Sequence, residues 1–263
     1  MGTPEATRSS VLDCTDFDSA VTSLAEILKM SADALRNHLA TFEVDWEHGT
    51  QDFDEQIHRS LGFERLELIP VARSTMWFHA TRAVPNEHFS NGLLPTMPAL
   101  EKLSPLLRSL ALRWISPKQW DEYRRSWDSS DRPFAQQFNR KQLLDTWQGP
   151  FAFLVRACAV GGRSVGHKDF MRRGSEALED ICGDFGQVFG KSLADEYVKA
   201  TRPCLVAFTT PWCEPDSMRS ALSYVYCSMR QMELGFRCNA NFVGGGKPVP
   251  SDWIRTVEWL SLP

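Results

Sequence analysis

The chain has 263 residues, of which 43% are hydrophobic and 24% charged, and a net charge of −4. That is enough apolar material for a sizeable core and argues against wholesale disorder. The mild acidity argues against a protein that coats duplex nucleic acid through phosphate contacts, although a local basic cleft stays compatible with it.

In chain order, residues 1–10 read as a polar tail without the apolar core of a secretory signal. Thr15-Asp16-Phe17-Asp18 then opens a helix in capping-box style, with an acidic residue three after the cap. Phe17, Val21, Leu24, Ile27 and Leu28 follow at helical spacing. A second helix is expected from Ser31, with Leu35 and Leu39 on one face, and a third over Asp52 to Leu61. Residues 1–63 thus form an N-terminal helical region. It has no basic recognition face, so it reads as a packing module rather than a DNA-binding helix-turn-helix.

Composition changes near residue 64. Leu66 to Ala72 and Thr75 to Thr81 look extended, and helices are expected near 99–112 and 117–127. Phe151 to Ala157 reads as a buried strand, residues 175–183 and 191–199 as helices, and Pro203 to Thr209 as the clearest strand. A helix over 217–234 and a terminal strand from Asp252 to Leu260 complete the pattern. Separated strands without regular βαβ alternation predict an α+β domain over residues 64–263.

Several motifs carry little. Val243-Gly244-Gly245-Gly246-Lys247-Pro248 lacks the spacing and the Ser/Thr of a phosphate loop and reads as a turn between strands. Asp184-Phe185-Gly186 matches a kinase tripeptide without its companion motifs. The seven cysteines form no CxxC and no zinc-type spacing with His, so no metal is expected. Buried, reduced thiols in a cytoplasmic protein are the simpler reading. No stretch of about 18 apolar residues suggests a membrane span.

One segment stands apart: Trp77-Phe78-His79-Ala80-Thr81-Arg82, followed by Phe89-Ser90-Asn91-Gly92-Leu93-Leu94-Pro95. Alternation puts His79 and Thr81 on the same side of an otherwise apolar strand. A helix-like stretch is expected to follow and to end at Asn91-Gly92, a left-handed cap. A hydrogen-bonding pair at a strand edge, closed over by a turn, suits a planar polar ligand.

These residues resemble the His-x-Thr strand and the Gly-Leu-x-Pro phrase of ADP-ribosyltransferase-like proteins, a group that includes poly-ADP-ribose polymerases and tRNA 2′-phosphotransferases. The resemblance covers residues 76–95. It implies an ADP-ribosyltransferase-like mixed β core that uses NAD as substrate. It also implies transfer of ADP-ribose to a protein or nucleic-acid acceptor, as in bacterial toxins or phage-defence effectors, with an inhibitory partner protein as a further partner.

By that resemblance His79 and Thr81 position NAD, and Gly92 belongs to the cofactor-binding phrase. Phe170 would take the place of the ring that stacks on nicotinamide, and Glu258 is the candidate for the late-strand acidic residue. Arg82, beside the His-x-Thr, suits a pyrophosphate contact. Arg156, Arg163, Arg172 and Arg173 fall near the same segments. No Glu stands at the family's spacing before the last strand. Two other readings stay open: an NAD-dependent RNA 2′-phosphotransferase, which needs clustered basic residues, and a non-catalytic interaction module with a Trp-rich surface.

Overall fold

The computed structural model describes residues 10–45, 53–127, 131–143, 148–161 and 170–261. The expected polar tail over residues 1–9 lies outside them, as do Arg163 and the segment Gly166 to Asp169. Close contacts group the chain into two compact units. The first comprises Met1–Phe78, Ala152–Gly166 and Ala207–Phe242, and the second His79–Phe151, His167–Val206 and Val243–Pro263.

The fold is α+β. Six strands form one sheet: β1 (Val11–Leu12), β2 (Ser74–Ala83), β3 (Phe151–Phe153), β4 (Arg202–Thr210), β5 (Asn241–Val243) and β6 (Ile254–Trp259). Their order is β5-β3-β2-β4-β6, with β1 also on β2. β1 runs parallel to β2 with Val11 opposite Ser74, and β3 runs antiparallel to β2 with Phe78 opposite Phe153. Every residue of β4 from Pro203 to Thr210 is buried. Its continuous apolar run therefore marks a strand covered on both faces.

In the first unit, α1 (Phe17–Leu28), α2 (Ala32–Thr41), α3 (Phe53–Ser60) and α10 (Pro215–Met229) bury Leu24, Leu35, Leu39, Ile57 and Val225. Asp16, not Thr15, caps α1: its carboxylate accepts from Ser19 N at 2.7 Å. Thr15 instead bonds the Asp13 carboxylate, so the expected capping box does not form. Ser31 caps α2 as expected. Arg230, just past α10, donates to Phe42 O and reaches Glu43, which fastens the end of α10 to the end of α2.

In the second unit, α4 (Thr96–Ala111), α5 (Pro117–Arg125), α6 (Pro133–Lys141), α8 (Glu176–Phe189) and α9 (Leu193–Ala200) enclose an aromatic core. Tyr123 meets Phe185 edge-on at 5.6 Å between ring centroids, and Trp127 meets Phe138 at 4.8 Å. Such edge-to-face pairs align the positive ring edge with the negative ring face. Two carboxylates of α8 sit under this layer. Asp184 accepts from Arg132 at 2.7 Å and Asp180 from Lys141 at 2.8 Å, which ties α6 to α8. The Asp184-Phe185-Gly186 tripeptide is thus helix interior and core.

Four expectations need correction. Leu66 to Ala72 is not a strand but a short 3-10 turn, Leu66–Leu68, followed by irregular chain. Phe151 to Ala157 is strand only to Phe153, because α7 (Arg156–Gly161) begins at once, and Phe151 is 39% exposed. Apolar runs alone do not separate a buried strand from a buried helix turn. The helix expected over 217–234 ends at Met229, so Glu233 is not helical, and the last strand begins at Ile254 after a turn over Ser251–Trp253.

Phe185 is fully buried against four other rings. Phe185→Ala is expected to lower the unfolding free energy by about 3–5 kcal/mol. Urea denaturation followed by fluorescence checks this.

Candidate functional site

His79, Thr81, Arg82, Gly92, Phe170 and Glu258 all belong to the second unit. His79 and Thr81 stand two positions apart on β2, about 7 Å along the strand and on one side of it. The Nδ1 of His79 lies 2.6 Å from Phe151 O. A carbonyl can only accept, so Nδ1 carries the proton and Nε2 is left as an acceptor. Burial pushes the imidazole below its ordinary pKa of 6.5, against the opposing pull of the Phe151 carbonyl. His79 is therefore a neutral ring held in one tautomer. Thr81 is half-buried, and its hydroxyl has no partner among the described residues.

The Arg82 guanidinium is engaged within the chain. Its guanidinium donates to Thr201 Oγ1 at 3.0 Å, Met171 O at 2.6 Å, Val198 O at 2.7 Å and Thr201 O at 2.7 Å. Val198 and Thr201 lie at the end of α9, where the last carbonyls lack helical partners. Arg82 thus caps α9 and anchors the turn at Met171. Tyr197 adds a bond from its hydroxyl to Arg82 O at 3.3 Å. A phosphate contact would require Arg82 to give up part of this set.

The same network brings Phe170 in. Phe170 is half-buried in the turn ahead of α8, one residue from the Met171 carbonyl that Arg82 holds. The turn closes with Gly174 N donating to Phe170 O at 3.1 Å. Arg172 and Arg173, the next residues, are exposed.

Between β2 and α4 the chain forms turns, not the expected helix. Asn86 and Phe89 both take positive φ, and Gly92 has φ +75°. At Gly92 a Cβ would collide with the Val249 carbonyl. That close approach lets Leu93 and Val249 exchange backbone hydrogen bonds at 3.0 and 2.9 Å. Gly92 therefore serves the backbone and fixes where the Gly-Leu-x-Pro phrase runs. The Gly-rich segment after β5 is a turn, as expected, with Gly246 N donating to Gly149 O at 3.1 Å.

Glu258 is not gathered in. It is exposed on the edge strand β6, and β4 lies between β6 and β2. Two strand spacings put its backbone about 10 Å from β2. Cys158 is buried, which pushes its thiol up to about 12. All seven cysteines are free thiols and six of them are buried. Among the described residues no group of His, Cys, Asp and Glu could hold a metal ion, and no helix is long and apolar enough to cross a membrane.

Comparison with known proteins gives no match: no family model, no curated protein and no solved structure is similar to this chain at a significant level. The functional reading therefore rests on the residues themselves.

Two outcomes test this geometry. Arg82→Ala orphans the α9 carbonyls and the Met171 carbonyl, and is expected to destabilise the protein by about 2–4 kcal/mol. Hydrogen exchange should show the opening first at residues 198–202. For His79 the folded-state pKa lies below the unfolded one, so above about pH 6.5 both states are neutral and stability is unaffected. Below that value the unfolded chain takes the proton first, and stability falls with falling pH. His79→Asn should flatten part of this slope in urea melts between pH 7 and pH 5.

Proposed function

We propose that the second unit carries an ADP-ribosyltransferase-like site that binds NAD, breaks its nicotinamide–ribose bond and moves ADP-ribose to a protein or nucleic-acid acceptor. The observation that carries this reading is the placement of His79 and Thr81 on one side of β2. A neutral imidazole with a free Nε2 accepts a hydrogen bond from a sugar hydroxyl. The Thr81 hydroxyl can donate or accept next to it. Phe170 offers a ring for stacking on nicotinamide, without the hydroxyl of a Tyr.

Breaking the glycosidic bond builds positive charge on the ribose, and a carboxylate close by would stabilise it. Glu258 is the acidic residue assigned to that task, and it would have to act from across β4.

A second reading has its own observation. Arg172 and Arg173 lie exposed immediately after Phe170, and paired arginines suit an RNA 2′-phosphate handled with NAD on the same scaffold. The third reading, a Trp-rich docking surface, loses ground: Trp77, Trp120 and Trp127 are buried, and Trp114 and Trp212 are the tryptophans found strongly exposed among the described residues.

The test is incubation of the purified chain with adenylate-labelled NAD and either lysate protein or RNA carrying an internal 2′-phosphate. Label on protein or RNA that falls at least about 100-fold in His79→Ala supports transfer. Loss of the 2′-phosphate with release of ADP-ribose cyclic phosphate selects the second reading. Absence of NAD binding by calorimetry at millimolar concentration sinks both.

A further inference from the structure

The first unit contains a polar cleft of about 320 Å³ that the reading above does not use. It is lined from the first turns of α10 by Glu214, Asp216, Ser217, Arg219 and Ser220, and from the Phe236–Cys238 turn and its continuation by Phe236, Arg237 and Asn239. Its anchor is Asp54 of α3, 4% exposed, which forms an ion pair with Arg219 Nε at 3.3 Å and accepts a hydrogen bond from Arg237 Nη1. Two guanidiniums on one buried carboxylate leave most of their N–H donors unspent. Arg219 commits one further nitrogen, to Asp216 at 2.9 Å. Arg237 commits none further to an acceptor among the described residues.

Two features point to a ligand. Ser217 and Ser220 are 1% and 8% exposed, line the cleft, and have no hydrogen-bond partner for their hydroxyls among the described residues. Their hydroxyl oxygens stay open to the cleft, where a bound polar group can take the place of water. The charges are also of both signs: Arg219 and Arg237 face Asp54, Glu214 and Asp216, one negative charge in excess. A plain anion meets the rim carboxylates, and a plain cation meets the two guanidiniums. A molecule with one charge of each sign meets neither penalty.

We propose that this cleft binds a small zwitterion of amino-acid size. Its carboxylate takes the free N–H groups of Arg237 in the planar geometry that guanidinium favours, together with the Ser217 and Ser220 hydroxyls. Its ammonium lies toward the exposed carboxylates Glu214 and Asp216. Phe236, 73% exposed, gives its side chain an apolar wall. The volume falls at the small end of ligand pockets, about 300–1,000 Å³, which suits a single amino acid and excludes a dinucleotide.

The test titrates the full chain with each of the twenty free amino acids, by thermal shift and then calorimetry. It repeats the best binder as its N-acetyl and its amide derivative, with inorganic phosphate as the plain anion. At least one amino acid should bind with Kd below about 1 mM, and each derivative should bind at least about tenfold more weakly. Arg237→Gln should weaken binding by at least about tenfold. Ser220→Leu fills the cleft without touching a charge and should abolish binding while circular dichroism stays native. Absence of binding by every amino acid at about 10 mM overturns the proposal. So does equal affinity for the amide or N-acetyl form, tighter binding of phosphate, or unchanged affinity in a folded Ser220→Leu protein.

Discussion

A guanidinium taken partly out of water must find acceptors for its N–H groups, and Arg82 finds them on two separate stretches of chain. Its bonds to Val198 and Thr201 finish α9, and its bond to Met171 pins the turn ahead of α8. Because Arg82 sits on β2, these bonds set α9, that turn and the strand in fixed relation within the second unit. The Arg82 side chain leaves β2 on the side opposite His79 and Thr81. His79 and Thr81 are its neighbours on β2, and Phe170 is the neighbour of the carbonyl it holds.

The site is therefore organised by backbone carbonyls more than by side-chain pairs. His79 is oriented by Phe151 O, Arg82 by three carbonyls and one hydroxyl, and Gly92 by the closeness of the Val249 carbonyl. Carbonyls accept and never donate, so they settle the His79 tautomer and leave its Nε2 open. They also supply no negative charge. That leaves a surface able to meet hydroxyl groups. The first unit is built differently. Its cleft is assembled around the buried carboxylate of Asp54 and two half-exposed guanidiniums.

Much of the secondary structure was legible from spacing. Ser31, Leu35 and Leu39 announced α2, and the apolar run from Pro203 announced β4. Failures came where local pattern is ambiguous. Phe151 to Val155 is apolar throughout, and only the tertiary setting turns Arg156 into a helix start: Cys14 O accepts from Arg156 N, and Asn239 Oδ1 from Val155 N. The stretch ahead of Gly92 reads as helical from the left-handed cap that Asn91-Gly92 suggests. Positive φ at Asn86 and Phe89 shows a chain bent by successive turns instead.

By itself the sequence determined the α+β class, the helices of the N-terminal region and the pairing of His79 with Thr81 on one side of a strand. Each of these depends on residues close along the chain, through the periods of helix and strand. Tertiary structure decided what those residues touch. It made Arg82 the clamp on α9, set Phe170 next to the carbonyl that Arg82 holds and left Glu258 exposed on the edge. It also joined Asp54, Arg219 and Arg237 into one cleft. The physical reason is that hydrogen-bond and charge satisfaction is settled between segments far apart in sequence, and no local period encodes which carbonyl or carboxylate a buried guanidinium will meet.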